Sequence, residues 1–283
     1  MRFVLPKDKR KKAKACLGQA NIMDIKEFFG FGGYQRPAEG YLSWQHLLFV
    51  SSLMAMMVLC AVFFGRRAKG LDAAGKNRVL KAAAILIDGV ELFKIVMLSI
   101  AAQDPMRWTS ELPLFLCSIQ LIAIPMAAFS KGRMKEASMD FVMIFGLLGA
   151  VMGTYFAGNN YSCYPVISID NVASGITHSI AGFVALYIIL SGMRSMKKSN
   201  IPITMGILFG FCAAAYIANI FLDYNYMFLS RGDGTPYDIL YNLVGGHPVF
   251  YPLGVVGLFV VYIGLYYAIY FRLTKRKKRP VAN

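Results

Sequence analysis

Two residues of this chain have the chemistry of a nucleophile and its base. Cys117 follows the run Leu112-Pro113-Leu114-Phe115-Leu116, and His178 stands between Thr177 and Ser179 in a second apolar stretch. A cysteine attacks a carbonyl as thiolate, and a neutral imidazole beside it can take the thiol proton. Ser110 with Pro113 marks a helix start, and Cys117 and Gln120 share a helical face, which places the thiol about one turn inside a partially positive helix end. Asn171, Ser174 and His178 recur at i, i+3 and i+7, as do Tyr216, Asn219 and Asp223, so each set forms a polar stripe able to face a bundle interior. His46, Cys117, His178, Asn219 and Asp223 also fall near corresponding ends of their apolar segments, within about 10 Å of one surface. The expected site is Cys117 with His178, lined or supported by His46, Gln120, Asn171, Ser174, Asn219 and Asp223. Asn171 or His46 would orient the imidazole, and Asn219 or a backbone N–H would hold an oxyanion. A second reading of the same residues stays open: a cysteine in an apolar helix is commonly a small packing residue, and a histidine there often only bonds a neighbouring helix.

A separate cluster, Asp88, Glu91 and Lys94, lies at successive i+3 steps in another apolar segment. Charges at that depth are costly unless paired, so Glu91 and Lys94 are expected to pair. Such a pair either fixes helix packing or belongs to an ion pathway.

The elements that position these groups follow from composition. Of the 283 residues, 57% are hydrophobic and 16% charged, well below the charged quarter usual in soluble domains. Apolar windows of membrane length lie near 43–64, 79–102, 112–129, 138–157, 172–193, 202–222 and 250–271, predicting an all-α polytopic membrane bundle of about seven transmembrane helices. Three units follow: a basic extension over 1–42 with a short interfacial helix near 24–34, the membrane domain over 43–271, and a basic tail over 272–283. Arg66, Arg67, Lys69, Lys76 and Arg78 crowd one loop, and Lys131, Arg133, Lys135, Arg194, Lys197 and Lys198 two others, while the alternate loops hold only Arg107 and Arg231. The charge bias puts the basic loops and the C-terminus in the cytoplasm and the N-terminus outside, although the Lys7 to Lys14 cluster opposes it. Thr235-Pro236-Tyr237-Asp238 resembles a capping box and predicts a short helix over the last outer loop.

The net charge of +15 resides in loops and tails beside apolar spans, so anionic lipid headgroups are the expected partner rather than nucleic acid. The five cysteines, at 16, 60, 117, 163 and 212, form no CxxC or metal-ligand spacing. Phosphate-loop and metalloprotease motifs are absent, and no cofactor or metal is expected.

Leu112 to Cys117, Thr177-His178-Ser179 and Asn219 to Leu229, taken in order with Pro236 to Asp238 and Gly245 to Pro248, resemble the YwaF-type bacterial family of seven-span membrane proteins over roughly residues 40–270. That family is similar, more distantly, to eukaryotic membrane acyltransferases that remodel ether phospholipids through a cysteine and a histidine. The resemblance implies that Cys117 and His178 are the corresponding pair. One position departs: Phe115 stands where the bacterial motif usually has histidine, which puts activity in doubt if that imidazole takes part.

Two functions compete. In the first, Cys117 attacks a lipid ester in the outer leaflet and passes the acyl group to a lysolipid or other acceptor. In the second, a non-enzymatic protein binds or moves a lipid or small solute, with Asp88, Glu91 and Lys94 as an internal gate.

Overall fold

Three of the long helices begin where a short polar side chain precedes an apolar run. Ser43 accepts from the His46 amide at 3.2 Å, Asp72 from that of Gly75 at 2.7 Å, and Ser168 from that of Asn171 at 3.3 Å. Each bond satisfies a donor that the first helical turn would otherwise leave open. The computed structural model describes residues 25–193 and 196–277. Its α-helices are α1 Ile25–Phe28, α2 Trp44–Ala68, α3 Ala73–Ala102, α4 Gln120–Phe129, α5 Gly132–Tyr155, α6 Gly158–Cys163, α7 Ile169–Leu190, α8 Ile201–Leu222, α9 Tyr237–Leu243 and α10 Phe250–Lys277. No strand occurs among the described residues, and the fold is the expected all-α polytopic bundle. The Lys7 to Lys14 cluster, Cys16, Arg194 and the tail after Lys277 lie outside the described residues.

Five segments are long and apolar enough to cross a bilayer: Trp44–Ala68, Gly132–Cys163, Ile169–Leu190, Lys198–Leu222 and Phe250–Lys275. Two of the seven expected spans differ. The helix α3 has 30 residues and is about 45 Å long, but Asp88, Glu91 and Lys94 break its apolar character. The expected continuous helix over 112–129 is corrected, because only Gln120–Phe129 is helical there. Proline at 113 holds Leu112 at φ −58°, ψ 144°, outside helical space. Ser118 Oγ then accepts from the Phe115 amide at 3.0 Å, closing a turn ahead of α4. Cys117 therefore sits in that turn and not one turn inside a helix.

The helices α5 and α7 form the interior. Half of the apolar window in each is buried, against 17% for α2 and 22% for the segments that hold α8 and α10, whose remaining surfaces suit lipid contact. Small residues let the central helices approach closely. A methyl at Gly146 of α5 would lie 2.7 Å from the Ala181 carbonyl oxygen of α7, and one at Gly182 would overlap Met57 and Ala150.

Both short helices expected in the loops exist in reduced form. Around residues 24–34 the described chain has one turn, Ile25–Phe28, after which Gly30, Gly32 and Gly33 adopt positive φ. In the last loop α9 begins at Tyr237 with Pro236 at its cap, and Thr235 Oγ1 accepts from the Tyr237 amide at 3.4 Å. The segment after α1 forms a strap over the start of α7. Tyr34 donates to Asp170 at 2.6 Å, Arg36 donates to the Ile167 carbonyl at 3.1 Å, and Glu39 accepts from the Val166 amide at 2.7 Å. Burial, and then the adjacent Asp170 carboxylate, raise the Tyr34 phenol above its ordinary pKa, so it remains a donor.

Candidate functional site

Cys117 in the turn before α4 and His178 on α7 are brought side by side, close enough to interact through their side chains. The imidazole is held from behind. Its Nδ1 lies 2.7 Å from the Ser174 carbonyl one turn earlier and 3.3 Å from Ser174 Oγ. A carbonyl only accepts, so Nδ1 carries the hydrogen, and in the neutral ring Nε2 presents its lone pair. That Nε2 is buried with no formed hydrogen bond. A neutral imidazole with a free Nε2 beside a thiol is the arrangement a general base requires.

The thiol lies at the entrance to α4, next to the backbone N–H groups of Cys117 and Ser118. Neither N–H has a carbonyl acceptor among the described residues. They face the Cys117 sulfur instead, and two backbone donors beside a nucleophile can stabilise an oxyanion. Gln120, the first residue of α4, is 1% exposed, and neither atom of its amide has a partner among the described residues.

A feature missed in the sequence lies behind the pair. Gly149 and Gly153, one turn apart on α5, form a groove in which both side chains rest. A methyl at Gly149 would meet Cys117 Cβ at 3.4 Å, while one at Gly153 would overlap His178 Cδ2 and Nε2. The spacing of Gly146, Gly149 and Gly153, which places all three on one helix face, was the available signal.

Other expected site residues serve elsewhere. His46 is fully buried and cannot orient His178, because its Nδ1 accepts from the Leu42 amide at 3.1 Å and its Nε2 lies 3.1 Å from the Thr154 carbonyl. It secures a turn in which Leu42 has φ 60°, and its ring lies 3.9 Å from that of Tyr161. His46→Ala is expected to lower stability by about 2–4 kcal/mol, read as a drop in Tm, while Cys117 keeps its reactivity toward alkylating reagents. Asn171 likewise does not orient the imidazole, since its amide donates to the Tyr164 and Pro165 carbonyls at 3.2 and 2.9 Å. Asn219 is not available to an oxyanion, because it exchanges two bonds with the Tyr226 backbone at 2.6 and 3.0 Å. Asp223 is the exposed, left-handed cap of α8 at φ 46°. Ser174 is the supporting residue that bonds His178.

The charged cluster also resolves. Lys94 Nζ lies 2.7 Å from Glu91 and 3.0 Å from Glu111, and Arg107 is 3.6 Å from Glu111. Lys94 is 8% exposed, and its two ion pairs tie α3 to the segment that leads into Cys117. Asp88, in contrast, is exposed. Phe115 lies among Tyr224, Tyr226 and Phe228, with ring centroids 6.2, 5.2 and 5.9 Å away. Its side chain packs against the loop that follows α8.

Membrane-length apolar helices around a cysteine and a histidine held together define this chain as a multi-pass membrane protein. Residues 41–267 match the TMEM164 family, and the chain belongs to that family. Cys117 and His178 both lie within the matched region. No curated protein and no solved structure matches the chain.

Proposed function

We propose that the chain is a lipid acyltransferase or transacylase with Cys117 as nucleophile and His178 as base. The observation that carries this reading is the free Nε2 of His178, fixed in its basic tautomer by Ser174 and set beside the thiol. The resemblance of the Leu112 to Cys117 and Thr177 to Ser179 motifs to the YwaF-type family and to ether-phospholipid acyltransferases supports the same substrate class.

In the proposed reaction Nε2 takes the thiol proton as sulfur bonds to the ester carbonyl carbon. The resulting oxyanion rests on the N–H groups of Cys117 and Ser118, with the Gln120 amide as a further donor. Collapse breaks the ester C–O bond, Nε2 returns its proton to the departing lysolipid oxygen, and the acyl group stays on Cys117 as a thioester. An acceptor hydroxyl then gives its proton to Nε2 and attacks the thioester, which releases the thiol. The placement of this chemistry in the outer leaflet rests on the proposed N-out, C-in orientation. The transport alternative has less support, because its gate residues Glu91 and Lys94 belong to a closed network with Glu111.

Intact-mass measurement of the protein after incubation with mixed phospholipids tests the reading. A hydroxylamine-labile acyl mass on Cys117 is expected in the wild type and absent from Cys117→Ala, together with a loss of transacylation of at least about 1,000-fold. Full transacylation by Cys117→Ala would sink the mechanism.

A further inference from the structure

At the basic-loop end of the bundle, about 30 Å along α5 from Gly153, the N-terminal ends of α3 and α5 and the C-terminal end of α4 border an open cavity of about 790 Å³. Lys76, Lys81, Lys131 and Lys135 all line it, with Asn77, Phe129 and a single carboxylate, Glu136. These lysines converge on one hollow instead of spreading over the surface. Lys135 is held there, donating to Asn77 Oδ1 at 2.6 Å and lying 3.4 Å from the Ala128 carbonyl. Lys81 is close enough to repel it and lies 5.6 Å from the Phe129 ring centroid. None of the four lysines forms an ion pair among the described residues. The N-cap of α5, Lys131, makes no side-chain capping bond, so the first-turn N–H groups add positive character to the same wall. Four lysines outnumber the one carboxylate of the lining, Glu136, which pairs with Lys197 at 3.4 Å, and a bound anion relieves the excess positive charge. Phe129, Met139 and Met193 supply apolar wall in the same cavity, which suits glycerol and the first acyl carbons better than a fully hydrated ion.

We infer that this cavity binds the phosphate of an anionic phospholipid headgroup, with Lys81 and Lys135 as its principal contacts. The site is independent of acyl transfer at Cys117, and its acyl chains would run along α3 and α4 into the bilayer.

The test uses full-length protein in neutral detergent, stripped of co-purifying lipid and titrated with dioleoylphosphatidylglycerol or dioleoylphosphatidylcholine under native mass spectrometry. One phosphatidylglycerol per chain should be retained, at least tenfold more tightly than phosphatidylcholine. The Lys81→Gln/Lys135→Gln pair should weaken this at least tenfold and Lys81→Arg/Lys135→Arg should preserve it. Arg66→Gln/Arg67→Gln, on the basic end but outside the cavity, should leave it unchanged. If the glutamine pair loses helical circular dichroism, Lys76→Gln/Lys131→Gln takes its place with the same expected loss. Millimolar inorganic phosphate should displace the lipid only weakly. Saturable binding of inorganic phosphate without retention of phosphatidylglycerol would replace the lipid with a soluble phosphate ligand and overturn the headgroup assignment. Equal retention of the two lipids, retention unaffected by a folded cavity variant, or no retention would overturn the site.

Discussion

Gly153→Ala is expected to lower acyl transfer by about 100-fold or more while the protein remains folded. A methyl group at this position occupies the space of His178 Cδ2 and Nε2, the edge of the ring that faces the thiol. The imidazole cannot swing aside freely, because Nδ1 is anchored to the Ser174 carbonyl at 2.7 Å. Displacement of the base by about 1 Å is enough for a loss of that size. Gly149→Ala should have a much smaller effect, since its methyl would make an ordinary 3.4 Å contact with Cys117 Cβ. Iodoacetamide alkylation of Cys117 as a function of pH separates lost positioning from general damage. In Gly153→Ala the profile should move to higher pH than in the wild type, because the thiol has lost its base. Gly175→Ala, whose methyl would press on the movable Leu53 Cδ1 at 2.6 Å, is a packing control and should keep the wild-type profile. A Gly153→Ala protein with a wild-type alkylation profile and full turnover would remove the groove from the mechanism.

Lys94→Met carries the largest expected loss of stability. The ammonium group neutralises Glu91 and Glu111 at 2.7 and 3.0 Å in an environment where the lysine is 8% exposed. Its removal leaves Glu91 without a cation and Glu111 with only Arg107 at 3.6 Å, a change that costs about 3–5 kcal/mol when one member of a buried ion pair is deleted. Thermal unfolding in detergent should show a large fall in Tm, and Lys94→Met combined with Glu91→Gln and Glu111→Gln should recover much of it. An undiminished Tm in Lys94→Met would mean that the three charges are effectively solvated. Because Glu111 lies a few residues before Cys117, loosening of this tie should also reduce acylation of the thiol at temperatures below unfolding.

The long helices were legible because an apolar window of membrane length has few alternatives in a bilayer. The Glu91–Lys94 pair was legible because i, i+3 residues share a face and buried charge seeks its opposite. Glu111 was hidden as Lys94's second partner, since it comes from a different segment and only the packing of 107–111 against α3 delivers it. The break over 112–119 is local in origin, yet an apolar count averages over Pro113 and the Ser118 bonds that end the helix there. Cys117 and His178 could be paired by depth and motif, whereas the choice of Ser174 over Asn171 and His46 as the anchor depended on the loop carbonyls that hold Asn171 and on the Leu42 amide and Thr154 carbonyl that hold His46, none of which a helical wheel contains. Glycine leaves the weakest trace of all, because its contribution at Gly153 is the space that its missing side chain does not fill.

The strap built from Tyr34, Arg36 and Glu39 lies ahead of residue 41, where the family match begins. The boundary set by shared ancestry and the boundary of the folded body therefore fall at different places. A chain trimmed at its N-terminal side to the family limit would retain every membrane helix but expose the Asp170 carboxylate, the Val166 amide and the Ile167 carbonyl at the mouth of α7, where they had been covered.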